Sequence, residues 1–218
     1  MALTFTEENY LKAIYALSSE PHGRVSNLAI AERLAINPAT VTEMLRKLHE
    51  KKLIYYNRSD GAKLTTPGKN GALKVIRKHR LWETFLVEKL GFSWSEVHEA
   101  AEQLEHIQSD KLIERLDKLL GCPKFDPHGD PIPDSKGKIS NSDARLLSEC
   151  SANKKYTLVG VANHTPSFLH FLDKMNLALN DTIEVREIED FDKSMHVVLH
   201  GKGATVFSLE ISKCLLVL

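Results

Sequence analysis

The chain has 218 residues, 29 Lys+Arg against 29 Asp+Glu, 42% hydrophobic and 27% charged, the balance of an ordinary globular protein. No apolar run is long enough to span a bilayer, and no charged-then-apolar leader pattern opens the sequence. The three scattered cysteines, Cys122, Cys150 and Cys214, make neither a disulfide framework nor a CxxC zinc pair, so a cytoplasmic protein with reduced thiols is expected. The zero net charge hides a polarity. Residues 1–80 carry 14 basic and 7 acidic side chains, whereas residues 81–120 carry 4 and 9. A polyanion-binding first third followed by a cation-binding segment is the arrangement this predicts.

Thr4 and Glu7 form a capping-box pattern that opens a helix with Tyr10, Leu11, Ile14 and Leu17 at helical spacing, ended by Pro21-His22-Gly23. Ser26 caps a short helix to Leu34. Asn37-Pro38 is an N-cap followed by a first-turn proline, and the helix it starts places Val41, Leu45 and Leu48 on one face. Residues 53–56 and 62–65 are short strands around the turn Asn57–Gly61. Two short helices followed by a hairpin predict a winged helix-turn-helix. Thr66-Pro67-Gly68 then begins a long helix with Leu73, Ile76, Leu81, Phe85 and Leu90 as its apolar stripe, stopped by Gly91. Ser93 and Glu96 cap a second long helix, predicted to run to about Leu120. Prolines 123, 127, 131 and 133 mark an irregular connection, and residues 134–153 are polar enough for a linker. Beyond them 156–161, 182–188, 194–200 and 204–209 alternate as strands, with a helix from Thr165-Pro166 to Lys174. A small β-barrel-like module is expected there.

The helix starting at Asn37 and Pro38 is the candidate recognition helix, because in such motifs the N-terminal turn enters the major groove. Ala39 and Thr40 present methyl groups to thymine methyls. Thr42 offers a hydroxyl, and Glu43 an acceptor for a cytosine amine. Arg46, Lys47, Arg58 and Lys63 are placed for phosphate contacts, which position without specifying.

The string from His98 to His106 carries the second chemistry. On one continuous helix His98, Glu102, Glu105 and His106 fall within an arc of roughly 100°. On the preceding helix His79 and Glu83, four residues apart, also share a face. If the two helices pack antiparallel, six nitrogen and oxygen donors converge. Such donors without thiolate suit Mn(II), Fe(II), Co(II), Ni(II) or Zn(II).

At these residues the chain resembles the diphtheria-toxin-repressor/MntR family of metal-dependent repressors. The likeness is carried by Thr6–Tyr15, Ile30–Leu48, Arg77 through His106, and His128–Pro133. The resemblance implies a mainly α protein with a small β part. Residues 1–66 would be a winged helix-turn-helix, 67–140 a helical dimerisation and metal-binding domain, 141–153 a linker and 154–218 an SH3-like, FeoA-type barrel. It implies Glu102, Glu105 and His106 as primary-site ligands and His79, Glu83 and His98 as the ancillary set. Glu102 stands where iron-responsive members have a cysteine, which favours Mn(II), with Fe(II) second. Asn9 stands where the family has an Asp or Met ligand, and Lys12 where some manganese sensors have a carboxylate. His164 and Ser167 fall near positions from which the family's C-terminal domain lends ligands. The partners implied are a double-stranded DNA operator and a second copy of the chain, with neither a membrane nor a small organic substrate. Metal binding would tie Asn9 on the first helix to Glu102, Glu105 and His106. An enzyme is not expected, because nothing in the sequence supplies a separate base or oxyanion donors beside the His/Glu set. The rival reading is a winged-helix regulator of a small organic ligand, with the His/Glu set structural.

Overall fold

The computed structural model describes residues 3–18, 23–140 and 143–218; the helix stop expected at Pro21 and His22 lies outside them. The chain forms two compact units. One comprises Met1–His79, Leu104–Ser109 and Pro133–Lys138, the other Arg80–Gln103, Asp110–Ile132 and Ile139–Leu218.

In the first unit the predicted caps are formed. Helix α1 (Phe5–Leu17) opens on a reciprocal box in which the Thr4 hydroxyl accepts from the Glu7 N–H and the Glu7 carboxylate from the Thr4 N–H. Ser26 caps α2 (Asn27–Leu34). The Asn37 side chain accepts the Ala39 N–H at 2.8 Å to start α3 (Pro38–Glu50). Strands β1 (Ile54–Asn57) and β2 (Gly61–Leu64) pair antiparallel, and Val25 bridges to Ala62 on the far side of β2. Tyr10, Leu11, Ile14, Ile30, Val41, Leu45, Leu48 and Ile54 are buried together as one core, each contributing about 1.5–3 kcal/mol. This core fixes α3 against α1 and α2.

Helix α4 (Thr66–Leu90) begins in the first unit and continues into the second. The second unit adds α5 (Val97–Leu104, all but its last residue) and α6 (Asp110–Leu119), then β3 (Arg145–Leu146), a 3-10 turn (Leu147–Glu149), β4 (Lys154–Val161), α7 (Pro166–Lys174), β5 (Thr182–Ile188), β6 (Met195–Leu199), β7 (Gly203–Phe207), α8 (Leu209–Ser212) and β8 (Leu215–Val217). The strands form one antiparallel sheet in the order β3-β8-β4-β5-β6-β7. Leu158, Leu172, Ile183, Val185, Phe207 and Leu215 fill its core. A smaller cluster joins Leu81, Ile113, Leu116 and Ile132. Among the described residues no helix is long and apolar enough to cross a membrane.

Four expectations change. The long helix predicted to reach Leu120 is two helices, with Glu105 and His106 in a turn between them. The Ile107 N–H bonds the Leu104 carbonyl, an i to i−3 closure that ends α5. Ser109 then stands where α6 needs an N-cap, with Asp110 in its first turn. Within the apolar stripe of α4, Leu90 is 58% exposed. The stretch expected as linker supplies β3, and Leu147 is fully buried in the sheet core. The sheet order leaves β3 and β7 as its two edges, so closure into a barrel is not part of the strand pairing. Strand β8 and helix α8 were not anticipated from the sequence pattern.

Candidate metal centres and DNA-facing surface

In the second unit a carboxylate of α4 meets the proline-rich loop. Glu83, Asp126 and His128, all buried, bring one ligand atom each to within 4.8 Å of one another. The loop shapes itself around Asp126. One carboxylate oxygen accepts the N–H groups of His128 at 2.8 Å and Asp130 at 3.0 Å, and the Asp126 N–H bonds the Asp130 carbonyl at 2.9 Å. The other oxygen stands 3.6 Å from the Arg80 Nε. Arg80 also bonds the Asp130 carboxylate at 3.0 Å and the Pro131 carbonyl at 2.5 Å. This leaves His128 rigidly presented. Its Nε2 faces the Trp94 carbonyl at 3.4 Å and its Nδ1 the Glu83 carboxylate at 3.8 Å. With Nε2 donating to the carbonyl, Nδ1 is the ring atom turned to the carboxylates: protonated, it carries positive charge toward Glu83, and deprotonated, its lone pair would be open to a cation.

The electrostatics fit a cation. Burial, then the neighbouring charges of Glu83 and Asp130, raise the Asp126 carboxyl from 3.8 to about 7. For His128, burial alone would lower the imidazole, but the nearby carboxylates of Glu83 and Asp126 outweigh it and hold it above its usual value. Two carboxylates share a dry site, and a divalent ion would neutralise them. All donors are oxygen or nitrogen, the set preferred by hard and borderline ions. His98 bonds Glu83 at 3.2 Å and Glu102 at 3.3 Å. Glu102 first, then Glu83, raise His98 to about 9. His164 approaches His128 with ring centroids 5.6 Å apart and lies 3.7 Å from Asp130.

The first unit holds a second constellation. Glu105, 1% exposed, accepts from Lys12 at 2.6 Å, with His79 Nδ1 also 2.6 Å away. Burial would raise the Glu105 carboxyl, but the His79 and Lys12 partners more than offset this and hold it low. His106 Nδ1 lies 2.6 Å from Glu8, whose other oxygen accepts from Gln108 at 3.0 Å and Lys78 at 3.2 Å. Phe5 packs on the His106 ring, centroids 3.8 Å apart. Glu8 and Lys12, four residues apart on α1, share one face. Asn9, the position expected to ligate, is half-buried, and it is Glu8 that reaches His106.

Of the six donors expected to converge from two helices, Glu105 and His106 stand in the turn after α5, with Glu105 against His79, while His98 lies against both Glu83 and Glu102. The reason is the break after Leu104, which takes Glu105 and His106 off the helix. Asp126 and His128 are not among the ligands the sequence reading names. Their signal was the clustering of Asp, His and Asp among the prolines of 123–133, a stretch read as an irregular connection and, over His128–Pro133, as part of the family likeness, with no ligand assigned in it.

On the surface of the first unit Asn37, Pro38, Ala39, Thr40, Glu43, Arg46, Lys47, Arg58 and Lys63 are exposed. Thr42 is half-buried: its hydroxyl accepts from Asn27 at 2.9 Å and donates to the Pro38 carbonyl at 3.2 Å. The Asn27 amide also bonds the Tyr56 hydroxyl at 2.9 Å, tying α2 to both α3 and the hairpin. Glu43 pairs with Lys47 at 3.1 Å.

Comparison with known proteins gives a consistent result. Residues 2–62 match the family model described as iron dependent repressor, N-terminal DNA binding domain. Residues 65–134 match the iron dependent repressor, metal binding and dimerisation domain, and residues 145–217 the FeoA domain. The chain is 31% identical over 212 residues to the diphtheria toxin repressor of Corynebacterium diphtheriae, covering 94% of this chain and 92% of that one. It is 38% identical over 131 residues to the iron-dependent repressor IdeR of Mycobacterium leprae, covering 60% of this chain and 56% of that relative. Among solved structures, one titled a manganese-dependent transcriptional repressor in complex with manganese is 34% identical, with a TM-score of 0.83 over 97% of this chain and 98% of that one. The structure of ScaR with bound zinc gives a TM-score of 0.72 at 34% identity, over 97% and 98%.

Proposed function

The chain belongs to the family of iron-dependent, diphtheria-toxin-repressor-type regulators, and from that premise we propose that it is a metal-dependent transcriptional repressor of metal-homeostasis genes. It acts in the cytoplasm as a homodimer on double-stranded DNA, with Mn(II) as its first effector and Fe(II) its second. The observation that carries this reading is the buried Glu83–Asp126–His128 group, two hard carboxylates and a borderline imidazole, in a chain that also presents an exposed, polar N-terminal turn of α3.

When bound, a divalent ion would add its positive charge to that of Arg80 and His98 beside the two buried carboxylates. Glu83 contributes from a rigid helix, Asp126 and His128 from a loop locked by its own hydrogen bonds, and His98 stands at Glu83 as an adjoining donor. The Glu105–His106 turn, with His79, Glu8 and Lys12, is the second constellation through which α1 communicates with the rest of its unit. Its donors are engaged by Lys12 and Lys78, so these ammonium groups must give way before an ion takes their place. Residues 1–66 serve as the DNA-binding domain, 67–140 as the metal-binding and dimerisation domain, and 154–218, extended back to β3, as an SH3-like module. Exposed Leu90, Leu112 and Leu119 on α4 and α6 provide apolar surface for pairing with a second copy. Metal binding favours the DNA-competent arrangement to the extent that its affinity for that arrangement exceeds its affinity for others. The C₂ pairing sets two α3 helices into successive major grooves, where Asn37, Pro38, Ala39 and Thr40 face base edges and Arg46, Lys47, Arg58 and Lys63 face phosphates.

The test begins with selection of binding sites from randomised duplex DNA. Fluorescence anisotropy on the selected duplex then follows with Mn(II), Fe(II), Zn(II) or EDTA. Tight binding with Mn(II) and its loss in EDTA are expected. Equal binding in chelator would overturn metal control.

A further inference from the structure

His128 is gripped from two directions by the C-terminal module. Its backbone carbonyl accepts the Val161 N–H of β4 at 2.9 Å. The next residue, Gly129, has φ +87° and lies against Gly160: a Cβ on Gly129 would meet the Val159 carbonyl oxygen at 2.1 Å and the Gly160 Cα at 2.3 Å. A Cβ on Gly160 would meet the His128 carbonyl oxygen at 3.1 Å and the Gly129 Cα at 3.2 Å. The register of β4 against β8 shifts between Leu158 and Gly160, so the strand is irregular where the loop rests on it. The second grip is on the ring. His128 Nε2 faces the Trp94 carbonyl, and that segment is pinned by α7, because the Trp94 and Ser95 N–H groups both donate to the Asp173 carboxylate, at 3.3 and 3.2 Å.

We propose that the C-terminal module is a clamp on the His128 imidazole, with Asp173 and Gly160 as positioning residues that set how tightly the Glu83–Asp126–His128 group holds a divalent cation. The inference rests on the reading of that group as a metal centre. Neither residue contributes a donor atom. Asp173 fixes the peptide whose carbonyl orients the ring, and Gly160 gives the loop its seat. Partners of this kind are worth about 10- to 100-fold in metal affinity.

The experiment is titration of the full-length chain with Mn(II) alone by calorimetry, paired with visible absorption of the Co(II)-loaded protein. The variants are Asp173→Ala, Asp173→Asn, Gly160→Ala and His128→Ala. Lys202→Ala, which removes the ion pair with Asp181 elsewhere in the same module, reports general loosening. Asp173→Ala and Gly160→Ala are expected to weaken Mn(II) binding about 10- to 100-fold and to shift the Co(II) bands. Asp173→Asn, which keeps one acceptor oxygen, should fall between Asp173→Ala and the parent, and Lys202→Ala should match the parent. Should Gly160→Ala fail to fold, Asp173→Ala decides alone. Parental affinity in Asp173→Ala while His128→Ala loses binding would overturn the clamp and leave the centre standing. Equal weakening in Lys202→Ala and Asp173→Ala would also overturn it. Parental affinity in His128→Ala would instead remove the metal-centre reading beneath it.

Discussion

Replacing Asp126 by Asn should move stability in opposite directions with and without metal. The amide keeps a carbonyl oxygen for the His128 and Asp130 N–H groups but removes a buried negative charge beside Glu83. In the metal-free protein, holding the carboxyl at about 7 instead of 3.8 disfavours its ionised form by about 1.4 kcal/mol per unit, or about 4 kcal/mol in full. Because the folded value is the raised one, the associated stability is complete below pH 3.8 and is lost as pH rises toward 7. Asp126→Asn should therefore match the parent near pH 4. By pH 8 in EDTA it should be the more stable protein by up to that amount; a gain of 2 kcal/mol would raise the melting temperature by about 4–8 °C for a chain of this size. With Mn(II) at one hundred times its Kd, the parent should gain about 2.7 kcal/mol and the variant much less. Differential scanning fluorimetry at pH 4 and 8, with EDTA and with Mn(II), reads all four conditions. A variant less stable than the parent at pH 8 in EDTA, or one that gains as much from Mn(II), would refute the electrostatic account of this site.

Three further outcomes follow from the same contacts. Lys12→Met leaves the carboxylate of Glu105, 1% exposed, with His79 at 2.6 Å and His106 at 3.5 Å and should cost about 3 kcal/mol, the low end for breaking a buried pair; an unchanged urea midpoint would show that the ammonium contributes nothing. Leu147→Ala should cost about 2–5 kcal/mol, since Leu147 is fully buried in the sheet core, and a loss below half a kcal/mol would return this segment to the status of linker. Arg46→Ala and Lys63→Ala should weaken operator binding on all sequences alike and each lower the salt slope by about one, measured by anisotropy from 50 to 300 mM salt; a sequence-selective effect would place them on bases.

The local grammar of this protein was legible without coordinates. The Thr4–Glu7 box, the Ser26 and Asn37 caps, and the alternation of 182–188 each depend on residues a few positions apart, and those interactions form wherever the chain goes. The metal-type chemistry was legible as a density of His and Glu, because imidazole and carboxylate are scarce enough that their clustering carries meaning. How those side chains are grouped was decided by tertiary contact. Glu105 left the helix face because α5 closes at Leu104, and as a buried carboxylate it found Lys12 and His79, 93 and 26 positions earlier in the chain. Asp126 and His128 became partners of Glu83 only because a loop forty residues later folds back on α4, and Leu147 entered a core built largely from strands that follow it. Spacing along one helix fixes which side chains share its face; it holds no information about which distant carboxylate or ammonium will meet them, since that is set by packing and by the cost of burying a charge alone.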